Sequence, residues 1–184
     1  MIVNVIIADE FYSNADNVRA FALEQEFNVS GNWPGLRTQS HLTVDTKIAI
    51  QNLLFPHAGQ VTNWHQEDGL TGSFQLTYAS DRSWIHTDNF NTWAGVLYLT
   101  PNAPVSGGTA LYRYKQNQAT VKGQLDEPYE SQDMTKWEIV DNIGNKFNRL
   151  VLYRANLFHS SVDYFGNDKD TGRLFQVFFI DTEN

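Results

Sequence analysis

Residues 84–88 read Trp-Ile-His-Thr-Asp, and this stretch carries the histidine and the carboxylate on which the predicted fold and site depend. They follow residues 72–79, where apolar and polar side chains alternate as in a strand with one buried face. If the extended backbone resumes through residues 84–88, His86 and Asp88 project from the same face, about 6.6 Å apart along the strand. An imidazole and a carboxylate in that relation can bind one divalent ion, with a third ligand supplied from elsewhere in the chain.

The leading candidate for the third ligand is His159, which directly follows an apolar strand and turn at residues 150–158. Two histidines and one carboxylate on one face of a metal leave its other positions open, a ligand set typical of non-haem Fe(II) oxygenases. Taken alone, His86 and Asp88 could equally be polar residues at a strand end, and His159 a histidine in a turn. The remaining histidines are interpreted as surface or packing residues: His41, His57 and His65.

The composition excludes several classes of protein. The 184 residues are 41% hydrophobic and only 18% charged, which is typical of a folded chain long enough to bury a core. A net charge of −8 and the lack of long basic runs disfavour an extended nucleic-acid surface. The chain has no cysteine, so disulfides, thiolate metal ligands and a cysteine nucleophile are excluded.

No apolar run approaches the roughly 20 residues that span a bilayer. The apolar residues 2–8 are short and lack a basic lead-in, so they are interpreted as a first strand and not as a signal peptide. We therefore expect a soluble cytoplasmic protein with no membrane partner.

The order of elements predicts helices first and strands afterwards. A strand is predicted at residues 2–8, a helix at 15–26, and a second helix at 45–55 that is capped by Asp45 and ends before Pro56. Short apolar runs between turn residues then indicate strands at 72–79, 84–88, 93–100, 108–114, 148–154 and 173–180. Repeated short strands without helical crossovers predict an antiparallel sandwich or barrel, and hence an α+β fold class.

We expect residues 1–184 to form a single domain, in which residues 1–60 supply a strand and helices packed on a core of residues 61–184. Residues 115–147 are interpreted as a polar insertion, with a loop around Glu127-Pro128 and a short helix near residues 131–141. Variable loops over a rigid barrel commonly carry specificity, so substrate choice is expected in this insertion and in residues 28–42.

The ordered set His86-x-Asp88, Gly107-Gly108-Thr109, His159 and Arg173 resembles the Fe(II)/2-oxoglutarate-dependent dioxygenases of the prolyl-4-hydroxylase-like type. The resemblance covers about residues 72–181, and the opening segment is similar to small oxygenase-like proteins of phages and bacteria. It implies a double-stranded β-helix, a jelly-roll or cupin-like core, flanked by N-terminal helices. It also implies that His86, Asp88 and His159 are the iron ligands.

The same resemblance implies that Arg173 pairs with the distal carboxylate of 2-oxoglutarate. An arginine that opens an apolar strand is costly to bury without an anion, and its planar guanidinium suits a carboxylate. The alternative is a structural ion pair with a carboxylate such as Asp163 or Asp170. Many relatives have a serine two residues after the arginine, where this chain has Phe175. The missing hydroxyl is expected from one of two tyrosines on strands that line the barrel, Tyr78 or Tyr98.

The resemblance implies an enzyme that uses Fe(II), 2-oxoglutarate and O₂ to hydroxylate a peptide side chain or a small molecule, with succinate and CO₂ as co-products. Two other functions remain open. The chain could be a non-catalytic jelly-roll binding or scaffold protein that keeps the metal motif. It could also be a cupin-like metal enzyme that uses no 2-oxoglutarate, in which Arg173 would hold a carboxylate of the substrate itself.

Overall fold

A computed structural model describes residues 2–66, 70–125 and 130–183. In these residues the helices are α1 (Ala15–Glu24) and α2 (Val44–Ala58). The strands are β1 (Val5–Ala8), β2 (Leu36–Ser40), β3 (Val61–Asn63), β4 (Ser73–Thr77), β5 (Trp93–Tyr98), β6 (Thr109–Tyr114), β7 (Trp137–Ile143), β8 (Leu150–Arg154), β9 (His159–Ser161) and β10 (Arg173–Thr182). None of the helices in these ranges is both long and apolar enough to cross a membrane.

The strands form two antiparallel sheets. Among the described residues, the large sheet has the order β1-β8-β5-β10-β4-β2, with β3 paired to the end of β10. The small sheet has the order β7-β6-β9. Except for the consecutive pair β6 and β7, neighbouring strands in each sheet are separated in the chain by other strands, as in a jelly roll, where the chain crosses repeatedly between two facing sheets. The predicted α+β fold with a jelly-roll core and N-terminal helices is therefore confirmed.

The two faces of the large sheet bury different clusters, because successive side chains of a strand point to opposite faces. One face packs against the helices, through Ala22 of α1 and Ile50 and Leu54 of α2. The other face, which carries Tyr98 and Phe175, packs toward the small sheet. The apolar runs predicted as strands at residues 93–100 and 173–180 form β5 and β10, which are buried almost throughout. Each large apolar side chain buried in this way contributes roughly 1.5–3 kcal/mol.

The predicted bounds of the second helix are wrong. Helix α2 begins one residue before Asp45, and its cap is Thr43, whose Oγ1 accepts a hydrogen bond from Thr46 N–H at 3.2 Å. Pro56 lies inside the helix, in its last turn. The helix continues past the proline because the N–H of Gly59, at φ 74°, donates to the Phe55 carbonyl at 3.1 Å and closes that turn.

Two predicted elements of the core also differ from the structure. Residues 84–88 do not form a strand, and His86 alone makes an isolated bridge to His159. The predicted helix near residues 131–141 is a short turn at Met134–Lys136 followed by strand β7. The side chains of β7 between its two ends are exposed, so pairing with β6, and not a buried face, fixes it as a strand. The predicted loop around Glu127-Pro128 lies outside the described residues.

Candidate metal centre

The backbone of the small sheet brings His86 and His159 together. The N–H of His86 donates to the carbonyl of His159 at 3.0 Å, and the N–H of His159 donates to the carbonyl of His86 at 2.8 Å. Strand β9 is in turn paired with β6, where Leu111 lies opposite His159. Directly opposed residues point their side chains to the same face, and the two imidazole rings are 4.4 Å apart between centroids.

Asp88 completes a cluster of three groups that could hold a metal ion. Its backbone N–H donates to the Ala155 carbonyl at 2.9 Å, which fixes the chain two residues after His86. One ligand atom from each of Asp88, His86 and His159 lies within 4.8 Å of the other two. Ligands that share one ion at about 2.1 Å each are at most about 4.2 Å apart, so a small side-chain adjustment would suffice.

Both histidines are oriented by a carbonyl two residues earlier in the chain. The Nδ1 of His86 lies 2.9 Å from the Trp84 carbonyl, and the Nδ1 of His159 lies 2.8 Å from the Leu157 carbonyl. A carbonyl can only accept, so Nδ1 carries the proton in each ring. The Nε2 atom is then the one with a free lone pair, which is the arrangement a metal-ligating histidine needs.

The electrostatics of the cluster disfavour charge in the absence of a cation. Burial, together with the nearby His86, lowers the pKa of His159 well below its usual value, so His159 is the neutral imidazole that a metal requires. Burial raises the pKa of Asp88, and this is opposed by His86, the Asn91 side chain and Arg37. A divalent ion would supply the positive charge that this half-buried carboxylate lacks.

A cavity of about 350 Å³ lies in front of the three candidate ligands. It is lined by Val96 and Phe175 of the large sheet and by Thr109 and Ser160 of the small sheet, and its volume falls in the range of small-molecule sites. Aromatic side chains form much of the remaining wall: Trp33, Trp84, Phe90, Tyr153, Tyr164 and Phe179. The cluster faces this space, so coordination positions of a bound ion that the protein does not fill would be accessible to a ligand in the cavity.

Arg173 is fully buried and lacks an acidic partner among the described residues. Its Nε donates to the Gly107 carbonyl at 2.9 Å and its Nη2 donates to the Gly108 carbonyl at 3.2 Å, while Nη1 has no hydrogen-bond partner. The alternative of a structural ion pair with Asp163 or Asp170 is therefore not observed. A guanidinium buried in this way is costly unless an anion joins it.

Aromatic rings separate the Arg173 guanidinium from open space. Its carbon Cζ lies 4.3 Å from the ring centre of Phe175, 5.4 Å from that of Tyr98 and 6.0 Å from that of Tyr164. Phe175 and Tyr164 line the cavity, whereas Arg173 does not. The position at which many relatives have a serine is thus filled by a ring that packs on the guanidinium.

The structure places the two candidate tyrosines on opposite faces of the large sheet. The hydroxyl of Tyr98 lies on the inner face, 2.7 Å from Oγ1 of Thr109, which lines the cavity. Tyr78 packs on the helix-facing cluster instead, so the structure does not bring it to the site. Alternate residues of an extended segment point to the same face, and Tyr78 follows Phe74 and Leu76 at intervals of two residues. All three belong to the helix-facing cluster, and this spacing is visible in the sequence.

Gly107 and Gly108 lie where neighbouring segments approach the backbone closely. A Cβ atom on Gly107 would meet the ring of Phe165, and one on Gly108 would meet the backbone carbonyl of Ile143. The Gly108→Ala substitution is therefore expected to lower the free energy of unfolding by about 1–3 kcal/mol, because a backbone carbonyl cannot turn aside as a side chain can. Urea denaturation would measure this. The exposed Ser106→Ala is the control, and equal stability of the two variants would contradict the prediction.

Sequence reasoning missed Arg37 and Trp33 as parts of the site. It placed substrate choice in residues 28–42 but singled out no side chain there. Arg37 lies on β2, which pairs with β4 at the edge of the large sheet, and Trp33 lies in the turn before it. Both line the cavity. The available signal was an arginine within a short alternating run, Leu36-Arg37-Thr38, which is weak without knowledge of the strand pairing.

Comparisons with known proteins support the same architecture. No curated protein sequence matches the chain. Among solved structures, a Pseudomonas putida prolyl-4-hydroxylase is 15% identical with a TM-score of 0.51, covering 98% of this chain and 94% of that one. The 2-oxoglutarate-dependent epimerase SnoN of nogalamycin biosynthesis is 15% identical with a TM-score of 0.59, covering 97% and 78%. HygX of Streptomyces hygroscopicus, solved with nickel and 2-oxoglutarate, is 9% identical with a TM-score of 0.56, covering 98% and 83%.

At these identities the structural matches establish the fold. They show that this jelly roll is the prolyl-4-hydroxylase-like fold of the 2-oxoglutarate-dependent oxygenases, as the sequence resemblance implied. A sequence-family model described as a family of unknown function, DUF6445, matches residues 3–128 and 115–180, which together span nearly the whole chain. The chain therefore belongs to the DUF6445 family, and its fold is that of the 2-oxoglutarate-dependent oxygenases.

Proposed function

We propose that this protein is an Fe(II)- and 2-oxoglutarate-dependent oxygenase that hydroxylates a small molecule or a peptide side chain. The observation that carries the proposal is the convergence of His86, Asp88 and His159, whose ligand atoms lie within 4.8 Å of one another at the wall of a cavity. Two neutral imidazoles and one carboxylate are the ligand set of non-haem Fe(II) oxygenases. The fold, which is shared with enzymes of that class, is consistent with it.

In this proposal the Nε2 atoms of His86 and His159 and the carboxylate of Asp88 hold the iron. When bound, Fe(II) with 2-oxoglutarate and O₂ supplies the oxidation, and succinate and CO₂ are the co-products. Tyr98, whose pKa is raised by burial, remains a neutral hydroxyl, and together with Thr109 it can take the place of the missing serine. The apolar part of the cavity wall would pack against the substrate.

The unpaired Nη1 of Arg173 fits a role in binding the distal carboxylate of 2-oxoglutarate. A carboxylate would give this buried cation both the counter-charge and the hydrogen-bond acceptor that it lacks. Because Phe175 and Tyr164 line the cavity and Arg173 does not, one of these rings must turn aside for the carboxylate to reach the guanidinium.

The test is spectroscopic and chemical. Anaerobic addition of Fe(II) and 2-oxoglutarate to the protein is expected to give a weak visible charge-transfer band, because the oxo acid would chelate the metal. Admission of O₂ should then release succinate, measured by mass spectrometry. The Zn(II)-loaded protein serves as the control and should give neither signal. An iron-loaded protein that shows no band and releases no succinate would contradict the proposal.

A second candidate is a metal-binding jelly roll that does not use 2-oxoglutarate. The packing of Phe175 on Arg173 favours it, since the guanidinium is closed off from the cavity. Thermal unfolding with Mn(II) and then N-oxalylglycine, an inert analogue of 2-oxoglutarate, separates the two candidates. A rise with the metal and a further rise with the analogue supports the oxygenase, whereas a rise with the metal alone favours the second candidate.

A further inference from the structure

Arg37 is a second buried arginine, and unlike Arg173 it lines the cavity. It is 6% exposed. Its Nε donates to Oε1 of Gln75 at 2.8 Å, and Nε2 of Gln75 donates to the Pro34 carbonyl at 2.7 Å. This relay between β2, β4 and the turn before β2 fixes the direction of the side chain.

The guanidinium of Arg37 packs against aromatic rings and, among the described residues, has no ion-pair partner. Its Cζ lies 4.0 Å from the ring centre of Trp33 and 5.4 Å from that of Phe179. Among the described residues, neither terminal nitrogen has a hydrogen-bond acceptor, and no carboxylate lies within ion-pair distance. Burial lowers the pKa of Arg37 to about 10, with Asp88 and Tyr153 opposing the shift, so the side chain remains a cation at neutral pH.

The two arginines serve different parts of the interior. Arg173 packs on the ring of Phe175, and Arg37 lies beside the ring of Phe179. Those two phenylalanines are on the same face of β10, four residues and roughly 13 Å apart. An oxo acid whose distal carboxylate binds Arg173 would therefore leave Arg37 free for another ligand.

Charge balance points to the chemistry of that ligand. Arg37 and Asp88 are the only Arg, Lys, Asp or Glu side chains among the described residues that line the cavity. Once Asp88 binds a divalent ion and 2-oxoglutarate occupies Arg173, no carboxylate of the described residues that line the cavity offsets Arg37. A desolvated guanidinium presents a planar pair of donors that matches a carboxylate, and flanking rings strengthen such a contact by keeping water away.

We propose that the substrate carries a carboxylate group, and that Arg37 binds this group within the cavity and so determines specificity. The proposal rests on the function proposed above and narrows its substrate class to carboxylate-bearing molecules. Arg37 acts here as a binding residue and takes no part in the oxidation.

The experiment uses the full chain saturated with Mn(II) and N-oxalylglycine, so that the metal and Arg173 are occupied. Matched pairs of probes that differ only in charge are titrated by calorimetry: benzoate and benzamide, indole-3-acetate and indole-3-acetamide, and N-acetylproline and N-acetylprolinamide. Phenyl phosphate is added as a competing anion class. The proteins are the wild type, Arg37→Gln, Arg37→Lys and the control Arg113→Gln, which removes an exposed arginine paired with Glu138 on the small sheet.

In the wild type and in Arg113→Gln, at least one carboxylate is expected to bind about ten-fold or more tightly than its amide. Arg37→Gln should abolish this preference, and Arg37→Lys should restore it in part because the charge returns without the planar pair of donors. The affinity for N-oxalylglycine should stay within about two-fold in both Arg37 variants, since Arg37 does not hold the oxo acid.

Three outcomes would overturn the proposal: no preference for carboxylate in any pair, a preference that survives Arg37→Gln, or tighter binding of phenyl phosphate than of every carboxylate. The ratio of carboxylate to amide affinity in the wild type still tests the proposal if Arg37→Gln fails to fold. If N-oxalylglycine does not bind the wild type, the proposed oxygenase function fails. The probe pairs are then titrated against the Mn(II)-loaded protein, where the carboxylate preference and its dependence on Arg37 are judged by the same criteria.

Discussion

The Asp88→Ala protein is expected to bind Mn(II) more than about 100-fold more weakly than the wild type and to release no succinate with Fe(II), 2-oxoglutarate and O₂. Loss of an outer-shell partner of a metal ligand already weakens metal binding by about 10–100-fold, and Asp88 is proposed as a direct ligand. It is also the only acidic group in the cluster, so its removal leaves two neutral imidazoles to hold a dication. Calorimetric titration with Mn(II) measures the affinity.

The same variant should not unfold more easily in the absence of metal. Burial disfavours the charge of Asp88, and the carboxylate has no ion-pair partner among the described residues. Removing it therefore removes a desolvated charge, and the thermal midpoint of the metal-free protein should stay the same or rise. Asp141→Asn, at an exposed position of β7, is the control for both measurements. Retention of Mn(II) affinity within ten-fold would exclude Asp88 as a ligand.

The Arg173→Lys substitution is expected to weaken N-oxalylglycine binding to the Mn(II)-loaded protein by about 100-fold, with little change in Mn(II) affinity. Removing one partner of a buried, hydrogen-bonded charge pair costs about 2–5 kcal/mol, and about 3 kcal/mol corresponds to 100-fold. Lysine keeps the charge, but it cannot donate to the Gly107 and Gly108 carbonyls and to a carboxylate with the same geometry. Calorimetry of the oxo acid at saturating Mn(II) gives the change.

A purely structural role for Arg173 makes a different prediction. If the guanidinium only holds the Gly107 and Gly108 carbonyls in place, Arg173→Lys should lower the thermal midpoint while the affinity for N-oxalylglycine stays the same. Gly108→Ala separates these effects further, because it disturbs the same loop without removing the guanidinium. Weaker oxo-acid binding in Arg173→Lys than in Gly108→Ala, at comparable stability, would assign the effect to the guanidinium and its planar donors.

Part of the site was readable from the sequence. The one-residue spacing of His86 and Asp88 predicted that their side chains lie close together. The strand on which that prediction rested does not form, and the two residues are fixed instead by backbone hydrogen bonds to His159 and Ala155.

The ring of Phe175 stands where a hydroxyl was expected, and the sequence already showed that substitution. The sequence also showed that Tyr78 points to the same face as Phe74 and Leu76. Only the tertiary structure shows that this face of the large sheet packs against the helices.

Other parts of the fold could not be read locally. Strand β7 carries mostly exposed side chains, so its periodicity resembles a loop or a surface helix, and only pairing with β6 makes it a strand. Arg37 reaches the cavity because β2 joins β4 at the edge of the large sheet, a contact between segments on either side of helix α2. The hydrophobic pattern within β2 or β4 does not indicate which strand it pairs with.

By itself, the sequence determined the features that depend on neighbours in the chain: two N-terminal helices, the buried strands β5 and β10, and the proximity of His86 and Asp88. Tertiary structure alone decided that His159 lies opposite His86, that Arg173 is sealed behind aromatic rings, and that Arg37 faces the cavity. The physical reason is that backbone periodicity fixes which way a side chain points, whereas long-range strand pairing fixes what it points at.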